Sequence, residues 1–467
     1  MSVPGPRHVS SLLFLIGGLF LTCCQRDNGA NREIVLITLD TFRDDHVDPR
    51  ATPELTTLAA RGVRFVQAIT SVPLTVPAHA SMLTGKSPFE HGLWRNGEHL
   101  EQTTIVPRLR RSGRHTAAFL SAYVLNADTG LDIGFDVYDS PPSPRKKLHV
   151  KTGTSRRGAF PPGQRPGDQT IEKALTWWQR TPPPRFLWVH LYEPHAPYEP
   201  PAEYRPTPDQ IHAAEMRAIM SRTGVARPAP LRRGKSPKET FAEQQLLYAG
   251  EIRWTDALVG RVLRAVGDSP LVIVAGDHGE ALGERDGKFG HGHTLFDEAL
   301  RIPLIIRWPD GPGGHEVTAP VSVEDLAATI LGGADLVPPT QDHLRQLALA
   351  HRTAPGRDGI VSACNGQHGQ GGLVVTHHPG RRALHQRRAA SQTPMVSFRT
   401  PASKVIVAPG RQPVLYDLIR DPDELRPRTS AAAMRKRSQL LQSLLEQIPP
   451  PNEDSDLELL RVLGYTE

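Results

Sequence analysis

The chain has 467 residues, 38% hydrophobic and 22% charged, with 40 Gly and 44 Pro, a balance that excludes collagen-like, coiled-coil and wholly disordered proteins. Its length suffices for one large α/β domain and a smaller companion. Three cysteines, two of them adjacent, argue against a disulfide framework or a thiolate zinc site, and the net charge of +6 is modest.

The N-terminus reads as an address. Arg7 and His8 precede an apolar run from Ser11 to Leu21, which is too short to span a bilayer and has the shape of a secretory signal. Leu21 stands three residues before Cys24, as in a bacterial lipoprotein signal. Residues 1–24 are therefore expected to be a leader, with Cys24 or Cys23 lipidated and the mature protein anchored in the periplasm or cell envelope.

Beyond the leader, buried-strand runs alternate with helical stretches. Ile34-Val-Leu-Ile-Thr-Leu39 runs into Asp40. The segment Leu74-Thr75-Val76-Pro77-Ala78-His79 predicts a helix start with Thr75 at the N-cap, because Pro is tolerated in a first turn. Such an N-terminus presents free N–H groups that suit a phosphate or sulfate oxygen, although Thr75 alone reads as an ordinary cap. Arg95-Asn96-Gly97 predicts a turn.

Residues 140–166 carry seven Lys or Arg and no acid, and residues 216–238 carry seven more, again with no acid. Without these fourteen, 41 basic residues face 49 acidic ones, so the basicity lies in two inserts. The inserts either steer an anionic substrate or are solvated loops. Few aromatics interleave with them, so no nucleic acid is expected as a partner.

A helix is predicted over Thr170–Gln179. Phe186-Leu-Trp-Val189 then runs into His190, with Glu193 and His195 close behind. A helix over Phe241–Val266 leads to Leu271-Val-Ile-Val-Ala275, followed by Gly276-Asp277-His278-Gly279, and Ile302–Trp308 closes the series. Apolar strands alternating with helices imply an α/β fold with a mostly parallel sheet covered on both faces. Ligands bind such sheets at the carboxyl ends of the strands, and three strands end there in Asp or His. That is where a metal site is built.

The catalytic domain is expected over residues 32–336 and a C-terminal subdomain over 337–467. The latter includes an antiparallel sheet with Lys404–Val407 and Val414–Asp417, and a helix over Ala431–Gln447 striped by Leu440, Leu441, Leu444 and Leu445. The stretch Gly366–Arg388, rich in Gly, His and Arg, suggests no role.

From Ile34 onward the chain resembles the sulfatase family of the alkaline phosphatase superfamily. Thr75–Gly85 is similar to the signature Cys/Ser-x-Pro-x-Arg-x-x-x-x-Thr-Gly. Gly290-His-Gly-His293 with Leu295–Pro303, Leu415–Leu418 with Asp421–Glu424, and Leu460–Tyr465 resemble later family blocks. The resemblance implies an alkaline phosphatase-like fold and a divalent-metal site at Asp40, Thr75, Asp277 and His278.

The departures are chemical. Sulfatases proper make formylglycine from Cys or Ser at the position of Thr75. Threonine carries a methyl group on its β-carbon and cannot yield that aldehyde. The signature Arg is His79 here, the second metal aspartate is Thr41, and the Gly-Lys motif expected near Gly113 is absent. What remains resembles the Thr-nucleophile branch of the superfamily.

That branch implies an exported metallohydrolase cleaving phosphate or sulfate esters, in which Thr75 is both metal ligand and nucleophile. Asn96 resembles the amide that contacts a non-bridging oxygen. His190, Glu193, His195, His291 and His293 are candidates for a second ion or for protonating the leaving group. Among them, His195 is favoured in catalysis and His293 as a ligand, because both fall in family-like blocks. His278 points to zinc or manganese, with calcium or magnesium as alternatives. The alternative functions are transfer of a phospho-group onto an envelope acceptor, true sulfatase activity, and a catalytically inactive domain that binds anionic glycans. The substrate is thus an anionic ester, and the oligomeric state stays open.

Overall fold

In the computed structural model, residues 31–142, 163–211, 241–285, 289–350, 359–365, 393–429 and 435–449 are described, together with Met1 and Ala213. The leader, the bulk of both basic inserts, Gly366–Arg388 and Leu460–Tyr465 lie outside the described residues.

An eight-stranded sheet organises the larger body. Its spatial order is His315–Val317, Val63–Phe65, Leu304–Arg307, Leu271–Gly276, Ile34–Leu39, Arg185–Leu191, His115–Leu120 and Val137–Asp139. The central strand Ile34–Leu39 runs parallel to both neighbours, pairing Leu39 with Gly276 on one side and Thr38 with His190 on the other. Every residue of Ile34–Leu39 is buried, as the unbroken apolar run requires for a strand covered on both faces.

One apolar core lies on each face. The first gathers Leu36, Val76, Met82, Trp188, Ile273 and Leu326, and the second Ile37, Leu58, Ile171, Tyr248, Val259 and Val274. The helices Gly167–Arg180 and Phe241–Val266 cover the second face, matching the expected segments to within three residues.

The segment Ile302–Trp308 departs from the parallel pattern. It divides at Pro303, which lacks an N–H to donate to a ladder. Arg301–Ile302 joins a three-stranded sheet, and Leu304–Arg307 pairs antiparallel with both of its neighbours in the main sheet.

The helix His343–Leu349 buries Leu344 and Leu347 in the first core, so the larger body includes it. Beyond it, Ile360–Cys364, Met395–Arg399, Ser403–Val407, Val414–Asp417 and Arg428–Thr429 form a five-stranded antiparallel sheet. The helix Arg435–Leu445 packs on it through buried Leu441 and half-buried Leu444 and Leu445. Leu440 is not in that stripe; it is 58% exposed, one residue round the helix from Leu441. Among the described residues no helix is long and apolar enough to cross a membrane.

Candidate metal-dependent active site

The register of the central strands brings the acids together. Because Leu39 lies opposite Gly276, the next residues, Asp40 and Asp277, leave the sheet side by side. His190 rises from the adjoining strand opposite Thr38, with Nε2 3.3 Å from Asp40 Oδ2. Asp277 Oδ1 accepts from the backbone N–H groups of Thr41 (3.1 Å) and His278 (2.7 Å), while its Oδ2 has no hydrogen-bond partner.

Thr41 adopts a φ of 52°, a left-handed conformation that is costly for a β-branched residue. Two contacts hold it there: its N–H on Asp277, and its carbonyl accepting from Tyr248 Oη at 2.7 Å. Strain of this kind concentrates at functional sites, where surrounding structure over-determines it. Gly279 closes the turn because a Cβ there would collide with the carbonyl of Glu298.

Thr75 comes from the opposite side. It is the first residue of the helix Thr75–Thr84 rather than its N-cap, the cap being Leu74. Pro77 is accordingly the third helical residue, still within the turn whose N–H groups lack intrahelical partners. Thr75 Oγ1 lies 3.4 Å from Asp40 Oδ2 and 3.4 Å from His278 Nε2. The four expected ligands therefore converge, and Asp40, Asp277 and His278 can present atoms to one ion.

The electrostatics ask for a cation. Burial pushes the carboxyls of Asp40, Asp277 and Glu280 above their usual range, and Asp277 and Glu280 are pushed further by Asp40. Burial also holds His190 near 4 and His291 well below its ordinary value, so both rings are neutral at pH 7. Fully buried Asp40 Oδ1, Asp277 Oδ2, Glu280 Oε1, His291 Nε2 and both nitrogens of His190 lack hydrogen-bond partners. Orphaned buried acceptors are costly unless something absent from the protein chain satisfies them, and divalent ions fit this donor set.

Four histidines share one geometry. Nδ1 of His278 contacts the Gly279 carbonyl (3.0 Å), that of His195 the Ala196 carbonyl (2.6 Å), that of His293 the His291 carbonyl (3.0 Å), and that of His291 lies 3.3 Å from Glu280 Oε2. An Nδ1–H tethered in this way leaves the Nε2 lone pair outward, the tautomer of a metal ligand or of a group that passes a proton. His278 and His291 rings lie 4.3 Å apart, and His195 and His291 rings 5.2 Å apart.

The other expected residues separate by depth. His195 is 4% exposed and stacks on Tyr192 (4.3 Å), which orients it at the rim of the buried cluster. His293 is half-buried and stands one step outside the two ligand groups. Glu193 turns away, accepting from the N–H groups of Gly167 and Tyr192. Asn96, 8% exposed, spends its Oδ1 on the N–H of Val76 (2.9 Å).

Two residues were not assigned a site role from the sequence. Glu280 pairs with His291 across eleven positions, a contact no local pattern announces. His79 is 3.8 Å from Asp277 Oδ2, and its signal was present: four residues after Thr75, it shares that residue's helix face.

Comparison with known proteins identifies the family. A sequence profile for the family Sulfatase matches residues 32–336. The ulvan-active sulfatase of Formosa agariphila is 25% identical over 344 residues, 66% of this chain and 62% of that protein. The choline-sulfatase of Rhizobium meliloti is 23% identical over 445 residues, 82% of this chain and 78% of that protein. This chain thus spans 62–64% of the length of the first two curated relatives it matches. Among solved structures, the phosphonate monoester hydrolase of Agrobacterium radiobacter aligns over 93% of this chain and 98% of its own, with a TM-score of 0.62 and 21% identity. A structure in complex with its substrate D-glucosamine-2-N,6-O-disulfate aligns over 94% and 99%, with a TM-score of 0.64 and 18% identity. The likeness to these structures establishes the fold, and the profile establishes the lineage: the chain belongs to the sulfatase family.

Proposed function

We propose that the protein cleaves phosphate or sulfate esters with Thr75 Oγ1 as nucleophile, at a divalent ion held by Asp40, Thr75, Asp277 and His278. The observation that carries this reading is the placement of Thr75 Oγ1, equidistant at 3.4 Å from Asp40 Oδ2 and His278 Nε2. The ion supplies positive charge that lowers the hydroxyl pKa and offsets charge on the ester oxygens. Zinc or manganese suits the mixed histidine and carboxylate set better than calcium or magnesium.

The residues themselves do the rest. The N-terminus of the helix Thr75–Thr84 directs its dipole toward the anionic ester. Thr75 Oγ1 forms a bond to phosphorus or sulfur as the bond to the leaving oxygen breaks. The hydroxyl proton leaves toward Asp40 Oδ2, and His195, whose Nδ1–H stays on the Ala196 carbonyl, takes a proton from solvent on its open Nε2 and passes it to the departing alkoxide. Water then cleaves the Thr75 ester and restores the hydroxyl. His190, His291 (with Glu280 behind it) and His293 are the candidate donors for a second ion.

Export, with lipid attachment at Cys24 or Cys23, is part of the same proposal and rests on the leader sequence. The test compares metal-reconstituted wild type and Thr75→Ala on an aryl phosphate monoester, an aryl phosphate diester and an aryl sulfate. The reading requires turnover of at least one that disappears in Thr75→Ala. Equal turnover by the two proteins contradicts it.

A further inference from the structure

One peptide unit at the start of the helix Thr75–Thr84 is held from both sides. The Thr75 carbonyl accepts from His79 Nδ1 at 2.7 Å, and the Val76 N–H donates to Asn96 Oδ1 at 2.9 Å. Carbonyl and N–H belong to a single planar group, so fixing both ends fixes the plane that carries the Thr75 Cα. The Val76 N–H is one of the helix's unsatisfied first-turn donors, and without Asn96 it would be buried and unpaired.

His79 is itself locked from behind. A carbonyl only accepts, so the His79 ring carries its proton on Nδ1. Trp188 Nε1, a donor only, gives its hydrogen to Thr38 Oγ1 at 2.9 Å, leaving the Thr38 hydroxyl hydrogen for His79 Nε2 at 3.0 Å. Both ring nitrogens are thereby used within the protein. This removes His79 from the ligand group its position suggests with His190 and Asp277, in which only the latter two keep free atoms.

We propose that His79 and Asn96 are positioning residues that clamp the Thr75–Val76 peptide and so aim Thr75 Oγ1, with Thr38 and Trp188 locking His79 in place. The clamp rests on the reading of Thr75 as nucleophile and deepens it. It gives the residue at the signature arginine position a role suited to a neutral ring. It also fixes the Asn96 amide: with Oδ1 on Val76, the NH2 group faces away from the helix. The clamp matters because an attacking atom displaced by about 1 Å loses on the order of 100-fold in rate.

The test uses Thr38→Val, which removes the hydroxyl at nearly constant volume, and Thr38→Ser, which restores it. Steady-state kinetics, zinc titration and hydrogen exchange over residues 74–83 are measured on each. Thr38→Val is expected to lower kcat by about 10- to 100-fold with KM and zinc affinity changed less than about twofold, and Thr38→Ser to recover most of the loss. Exchange at Val76 is expected to accelerate about tenfold or more in Thr38→Val and Asn96→Ala, but not in Thr38→Ser or Asn96→Asp, which keep the needed groups.

An unchanged kcat in Thr38→Val, or a loss tracking lost zinc affinity, overturns the positioning role. Unchanged exchange overturns the clamp whatever the activity. Equal turnover by wild type and Thr75→Ala instead defeats the nucleophile reading, and the exchange data then report on the clamp alone.

Discussion

Replacing Thr75 by alanine removes one hydroxyl from the centre of the site and leaves Asp40, Asp277 and His278 in place. Turnover should fall by about 1,000-fold or more while zinc affinity changes far less, because three ligands remain. Asp277→Asn should do the reverse. Its Oδ1 still accepts from Thr41 and His278, so the turn survives, but the charge that attracts the cation is gone. Zinc titration should show affinity reduced by more than about 100-fold, since even outer-shell partners of ligands are worth 10- to 100-fold. Asp40, Asp277 and His278 were legible because they end buried strands, where the chain must leave the sheet. Glu280 was not legible, since its pairing with His291 exists only once the loop has folded. His79 was visible as a departure from the signature, but its role depends on Thr38 and Trp188, which only the sheet register brings beneath it.

The elements themselves were largely legible in their periodicity, and the exceptions have local causes. Thr75 begins its helix rather than capping it, because Leu74 already holds the extended conformation at the cap. Leu304–Arg307 looks like the parallel strands in composition, and nothing in an apolar run encodes its direction. Within the helix Phe241–Val266, Glu251 carries a pH-dependent cost. Burial, with Glu193 adding to it, pushes this carboxyl up to about 9 while Oε1 accepts from the N–H of Glu199 at 2.7 Å. The folded state therefore binds the proton more tightly than the unfolded state, and this group's contribution to stability declines as pH rises from about 4.5 towards 9. Glu251→Gln keeps the acceptor and removes the charge. Thermal unfolding should show a gain of about 2–5 °C at pH 8–9 that vanishes near pH 5. A gain independent of pH would contradict the assignment.

At the scale of the molecule, the C-terminal sheet braces the histidine loop. Buried Lys404 reaches Leu295 O at 3.1 Å, Asp297 Oδ1 at 2.5 Å and Glu424 Oε1 at 2.8 Å, and Arg399 adds a bidentate pair to Asp297. These contacts fasten residues 295–297, immediately after His291 and His293. Lys404→Met would leave the buried acids without their ammonium and should cost about 3–5 kcal/mol in denaturant unfolding. It should also weaken metal binding through the loosened loop, without touching a ligand. An ion held by Asp40, Thr75, Asp277 and His278 would bind only the folded larger body, so chelation should lower the midpoint of thermal unfolding and zinc or manganese at about 100 times its Kd should restore about 2.7 kcal/mol. The two-part organisation could be read from the sequence, but this cross-bracing could not, since it joins residues more than 100 positions apart.

The most direct measurement is acid-quenched mass spectrometry of the wild-type, metal-loaded protein during turnover of an aryl phosphate diester, monoester or sulfate. The account predicts a phosphoryl- or sulfo-adduct on the peptide containing Thr75, localised to that residue, formed at the rate of the burst and absent from Thr75→Ala. Turnover with no adduct, or with an adduct on another residue, would contradict it.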